Sequence, residues 1–141
     1  MITKETTEGK PVHLQTHLKI NNTLSGDLEK LEEGYAKVRL NTSEAMRADE
    51  VGLVHGGFIF SAADFAAMAA VNEPNVVLAG CNSRFLAPVR VGDEVIFEAE
   101  IRHAQGRKYN VFVTAYASKV KVFEGEFKTV VTKEHVLKPA L

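Results

Sequence analysis

Tryptophan is absent from these 141 residues, cysteine occurs once, proline four times, and neither sign of charge prevails. A single thiol, Cys81, excludes an internal disulfide framework and fits a reducing compartment; a lone cysteine of this kind is expected as a small buried apolar residue. Lys and Arg number 17 against 18 Asp and Glu, a net charge of -1, so no global basic field exists to gather nucleic acid or anionic lipid. The longest apolar stretch, Phe58 to Val71, contains Ser61 and Asp64 and falls short of the roughly 20 residues a membrane span needs. It reads as a core helix. Met1 to Val12 mixes Lys4, Glu5, Glu8 and Lys10 with threonine and glycine and holds no apolar core of signal-peptide length. The cytoplasm is the expected location, with neither membrane nor nucleic acid as a partner.

What is present suits one compact domain: 45% of residues are hydrophobic and 25% charged, enough apolar material to build a core. Residues 1–17 read as a polar lead-in and residues 18–141 as a single domain. Gly34 to Thr42 alternates apolar and polar positions as a half-buried strand does, and Asp27 to Glu33 reads as an earlier strand or turn. The apolar segment opening at His55-Gly56-Gly57 is rich in alanine and methionine and lacks a polar face, which predicts a helix from Gly57 to Val71 buried nearly all round. Asn72-Glu-Pro-Asn75 ends it, because Pro74 turns its predecessor away from helical geometry. Four strand-like runs follow: Val76–Val89, Glu94–His103, Tyr109–Ser118 and Val120–Thr132. Gly92-Asp93 and Gln105-Gly106 supply turns, and Val95, Phe97, Ala99 and Ile101 alternate with Glu94, Ile96, Glu98 and Glu100. One long buried helix against a mainly antiparallel sheet is an α+β architecture.

A helix that starts at Gly56-Gly57 presents unpaired backbone N–H groups at its positive end, and glycine lets an oxygen approach without a Cβ in the way. Read alone, the triplet is first of all a tight loop-to-helix joint. Asp64 adds weight, because a carboxylate between Ala62, Ala63, Phe65 and Ala66 suffers desolvation unless it is paired or used. In a purely structural role it would satisfy buried backbone groups or pair with Arg84. For His55, capping the loop by hydrogen bonding is favoured over proton transfer. Gly56 and Asp64 stand eight residues apart, and a rise of ~1.5 Å per residue separates them by roughly 12 Å along the helix. If both serve one carbonyl, they come from different chains. His13 and His17 stand four apart, as on one helix face, but no third ligand lies nearby, so no metal is expected.

Asp49-Glu-Val-Gly52-Leu-Val-His55-Gly56-Gly57, with Asp64 following in the helix, resembles the motif of PaaI-type acyl-CoA thioesterases of the hotdog superfamily. Phe85-Leu-Ala-Pro88-Val-Arg-Val-Gly92-Asp93 resembles that family's second signature, and the likeness runs from about Gly34 to Thr132. It implies a hotdog fold, a curved antiparallel sheet wrapped around one long central helix, acting as a homodimer with helices packed antiparallel at the site. Pairing of dimers into tetramers is left open. It further implies that Gly56 donates an oxyanion-hole N–H, that Asp64 acts as base or nucleophile, that His55 supports the loop, and that Gly57 is a substrate-binding position. Asp49 stands where the family often has asparagine to position the attacking water or the acid. A second carboxylate there would raise the pKa of Asp64 and weaken it as a base.

The family places nucleotide contacts at Arg107 and Lys108, so acyl-CoA is the expected ligand, coenzyme A being part of the substrate and no separate cofactor being required. Phe58, Phe60, Phe65 and Met68 are candidates for an acyl tunnel as well as for plain core. The main rival is a non-catalytic acyl-CoA binder with a sensing role, since Val122-Phe-Glu-Gly-Glu-Phe127 also resembles hotdog effector domains of lipid-synthesis repressors.

Overall fold

The structure, a computed structural model, describes residues 4–5 and 11–138. Two short strands, β1 (Lys4–Glu5) and β2 (Pro11–Val12), pair with each other. A one-turn helix α1 (Asn22–Ser25) leads into β3 (Asp27–Glu32) and β4 (Tyr35–Asn41), and the long helix α2 spans Gly56–Val71. The chain ends in a meander of β5 (Val76–Phe85), β6 (Glu94–Gln105), β7 (Lys108–Ala117) and β8 (Val120–Val131). Six strands form one antiparallel sheet in the order β3-β4-β6-β7-β8-β5. The helix lies across its inner face, and the predicted α+β hotdog architecture is the observed one. Among the described residues, no helix is long and apolar enough to cross a membrane.

The inner face follows from strand alternation. In β4, Ala36, Val38 and Leu40 are fully buried, and in β6 so are Val95, Phe97 and Ala99, opposite one another in the ladder. They meet Ala62, Ala63, Phe65, Ala66, Met68 and Ala69 of α2, each at most 1% exposed. Small alanines let the helix sit close to the sheet, and dispersion summed over that tight contact holds it there.

Asn72 closes the helix in left-handed geometry, φ 53°, with its N–H donating to the Met68 carbonyl. Its side chain accepts from the Gln15 N–H at 2.7 Å and donates to the His13 carbonyl at 2.8 Å. His13 and Gln15 are thereby tied to the end of the core helix. His13 and His17 lie in irregular chain, not on the shared helix face expected of their spacing.

Two features bear on the site. The register of β5 against β8 slips between Leu78 and Gly80, a bulge that inserts Ala79. Leu78 opposes Thr129, but Cys81, Ser83 and Phe85 then oppose Phe127, Gly125 and Phe123, all buried positions of β8. The second half of β5 therefore turns its odd-numbered residues toward the helix. As an outer strand, β5 is covered poorly there, and Cys81, expected to be buried, is exposed.

Candidate active site

The loop that delivers Gly56 is stitched from both sides. Arg47 donates to the Glu44 carboxylate at 2.9 Å and to the carbonyls of Asp49 and Glu50 at 3.0 Å. One oxygen of Asp49, Oδ1, accepts from the N–H groups of Val51, Gly52 and Leu53, each at 3.0 Å. Those bonds, that from Leu53 foremost, hold the Asp49 carboxyl below its ordinary value. Gly52 turns the chain at φ 103°, a geometry that favours glycine. Val54 donates to the Val89 carbonyl and Val91 to the Gly52 carbonyl, both at 2.8 Å, and His55 donates to the Met46 carbonyl at 2.9 Å. The helix start is thus fixed to the segment between β5 and β6.

His55 occupies the N-cap of α2 without a side-chain capping bond. Its exposed ring stands edge-on to Phe58 at 6.1 Å. A Cβ on Gly57 would come within 3.1 Å of this ring, so Gly57 is what gives the imidazole its place. The N–H groups of Gly56 and Gly57 open the helix and have no intrahelical acceptor, and His55 offers no side-chain one. A Cβ on Gly56 would lie 3.5 Å from the Phe85 ring, an ordinary contact.

Beside Gly56 opens a cleft of ≈ 370 Å³ whose walls include Leu53, Ile59, Phe85, Leu86, Pro88 and Val122. Asp64 is not among them. The carboxyl sits two turns further along α2, between fully buried Ala63 and nearly buried Phe65. Its Oδ1 is buried without a hydrogen-bond partner among the described residues. Burial alone pushes its pKa up to about 6. The repulsion expected from Asp49 is not the cause, for within one chain Asp49 contributes nothing to the shift. Nor does Arg84 pair with Asp64: it faces away, 3.6 Å from Glu124.

Near Asp64 the inner face of β5 presents Cys81 and Ser83. Burial first, and to a smaller degree the Asp64 charge, push the Cys81 thiol up against a hydrogen bond with Ser83. Cys81 is therefore neutral at physiological pH. Ser61, one turn before Asp64, is engaged with Ser25 at 2.8 Å.

Of the tunnel candidates, Phe65 and Met68 are 1% exposed and belong to the core, while Phe58 and Phe60 are half-buried. Arg107 lies in the β6–β7 turn, which the structure places at Gly106-Arg107, one residue beyond the expected pair. Lys108 opens β7 and, with Asn110 and Lys128, lines a separate hollow of ≈ 230 Å³. Neither Lys128 nor Phe85 is singled out by sequence reasoning, because each acquires its neighbours only through strand pairing. Among the described residues no three His, Cys, Asp or Glu side chains gather into a metal-binding group.

A model of the thioesterase superfamily matches residues 51–124, which include Gly56, Asp64 and Phe85. The chain belongs to that superfamily. Among solved structures, the uncharacterized protein PH1136 of Pyrococcus horikoshii superposes with a TM-score of 0.90 at 46% identity, over 92% of this chain and 99% of that one. The E. coli PaaI protein from the phenylacetic acid degradation operon gives 0.73 at 25% identity, over 79% and 83%. Two curated relatives are longer. The methylthioribose-1-phosphate isomerase of Aquifex aeolicus is 59% identical over 117 residues, 83% of this chain but 26% of its own length. Transcription factor FapR of Caldanaerobacter subterraneus is 31% identical over 114 residues, 80% of this chain and 57% of its own length. A thioesterase-superfamily domain thus recurs within larger chains of different description.

Proposed function

We propose that this thioesterase-superfamily chain hydrolyses an acyl-CoA thioester as a homodimer, each site combining Gly56 of one chain with Asp64 of the other. The observation that carries this reading is the Asp64 carboxyl itself: half-buried in an apolar helix, one oxygen without a partner, its pKa pushed up to about 6. A structural carboxylate would spend its oxygens on hydrogen bonds. A free one with a pKa just below neutrality is a base ready to take a proton.

In the proposed step, ionised Asp64 removes a proton from water as the water oxygen bonds to the thioester carbon. The carbonyl electron pair moves to oxygen, which the Gly56 N–H stabilises. Collapse expels the coenzyme A thiolate, which takes the proton from Asp64, leaving the acid and the free thiol. Direct attack by Asp64 on the thioester carbon instead expels the coenzyme A thiolate and leaves a mixed anhydride; water then cleaves the anhydride, restoring the Asp64 carboxylate, forming the acid and yielding the proton that the thiolate takes. A fixed donor aimed at the developing oxyanion contributes on the order of 3 kcal/mol. His55 and Asp49 serve by holding the loop that aims it. Arg107 and Lys108 supply cations for the phosphates of coenzyme A, with Lys128 beside Lys108.

The two-chain site rests on the ~12 Å helical separation of Gly56 and Asp64 and on the absence of Asp64 from the Gly56 cleft. The outer edge of β5 is uncovered by any strand among the described residues and offers a ladder on which a second copy can pair. The cytoplasm, where a lone unpaired thiol persists, is the proposed location.

Mixed dimers test the assignment. Asp64→Asn and Gly56→Ala should each lower acyl-CoA hydrolysis, the first by roughly a hundredfold or more. A heterodimer of the two variants carries both defects in one site and leaves the other intact, so it should regain about half of wild-type activity. No recovery would overturn the shared site, and a wild type that turns over no acyl-CoA would overturn hydrolysis. The similarity to FapR favours one second reading, a non-catalytic acyl-CoA sensor, in which the same panel is bound and none is cleaved.

A further inference from the structure

The cleft beside Gly56 is mainly apolar: the side chains of Leu53, Ile59, Phe85, Leu86, Pro88 and Val122 are all hydrocarbon, and polar atoms make the smaller part of its lining. Two nearby backbone N–H groups are already committed, that of Val54 to the Val89 carbonyl and that of Leu86 to the Val122 carbonyl, both at 2.8 Å. A thioester whose oxygen rests on the Gly56 N–H sends one of its two arms into this space. The pantetheine arm carries two amides, and burying them here without partners would forfeit their hydration. An acyl arm of plain methylenes loses nothing by entering and gains from leaving water. At ≈ 370 Å³, the space stands near the lower end of ligand pockets.

Phe85 is placed to set the depth of this space. It ends β5, packs edge-on against Phe123 at 5.1 Å, and lays its ring 3.5 Å from the Cβ position of Gly56. Yet it is 55% exposed, so it walls the cleft without being locked into the core. We propose that the cleft takes an unsubstituted, medium-length hydrocarbon acyl chain and that Phe85 determines the length accepted. This rests on the thioester-binding reading above. Chains bearing a hydroxyl or a terminal carboxylate are disfavoured, since no side chain of the wall can pair with them.

The test uses the full-length dimer with acetyl-, butyryl-, hexanoyl-, octanoyl-, decanoyl- and palmitoyl-CoA, together with a six-carbon acyl-CoA ending in a carboxylate. Wild-type kcat/KM should climb by up to about fourfold per methylene, peak at a medium chain, and fall for palmitoyl-CoA. The carboxylated analogue should be at least about tenfold poorer than hexanoyl-CoA. Phe85→Ala should move the peak to longer chains, and Phe85→Leu should move it less, which guards against a general loss of folding. If wild type is active but Phe85→Ala leaves the profile superimposable, or the carboxylated chain equals the plain one, the inference fails while hydrolysis stands. If nothing is cleaved, hydrolysis fails, and dissociation constants for the same panel with wild type and Phe85→Ala decide the inference by the same pattern.

Discussion

Two aspartates fifteen residues apart, Asp49 and Asp64, stand in opposite surroundings. Asp49 stands in an exposed loop, and three backbone N–H groups converge on one of its oxygens. Asp64 stands in the core helix, and its Oδ1 receives no hydrogen bond among the described residues. One carboxyl is held below its ordinary pKa and the other pushed to about 6. A carboxylate saturated with donors shapes backbone; one deprived of them is available for a proton. The motif that carries both residues does not tell their surroundings apart, but their hydrogen bonds do.

The contrast is sharpest in catalysis. Asp64→Asn should cost on the order of a hundredfold in kcat, whereas Asp49→Asn keeps an oxygen for the three N–H donors and should cost less than about threefold. Equal losses in steady-state hydrolysis would erase the distinction.

Stability should show the opposite order. The folded pKa of Asp64 lies above its ordinary value of 3.8, so the folded state holds the proton more tightly. Stability therefore falls as pH rises from about 4 to about 6, and above that window the wild type bears the whole penalty. Asp64→Asn, which never charges, should be more stable than wild type at pH 8 by about 2 kcal/mol, after allowing for partial solvent access. The two should converge near pH 4. Asp49→Ala strips the loop of its acceptor and should lower the unfolding midpoint at both pH values. Denaturant titrations at the two pH values measure all of this, and a destabilised Asp64→Asn at pH 8 would contradict the burial argument.

The smallest expected effect is a null one. Wild-type hydrolysis should rise with an apparent pKa of about 6 as Asp64 ionises, and Asp49→Asn should leave that limb in place. A downward shift in the pH-rate profile would show that the two carboxylates repel each other across the dimer.

The order of strands around one helix was legible because it depends on local pattern: β6 alternates Val95, Phe97 and Ala99 with Glu94, Ile96, Glu98 and Glu100, and α2 carries its apolar residues without a polar face. Asp64 was legible for the same reason, as an acid where hydrocarbon is the rule. Cys81 was not. Its exposure depends on how far the helix reaches over an outer strand, and no neighbouring residue encodes that distance. The anchoring of His13 and Gln15 by Asn72 joins segments nearly sixty residues apart, and the role of Phe85 beside Gly56 requires both a strand register and a loop path. Long-range pairings of this kind leave no periodic trace.

The bulge at Ala79 gives β5 a change of phase midway along its length. Up to Leu78 the even-numbered side chains look inward; from Cys81 the odd-numbered ones do. Pairing the same residues one to one, without the bulge, would leave the strand as long and the ladder as well bonded. It would, however, deliver Asn82 and Arg84 to the helix and carry Cys81, Ser83 and Phe85 to the outer surface. The wall beside Gly56 is therefore held in place by a counting rule as much as by the identity of the residues that form it.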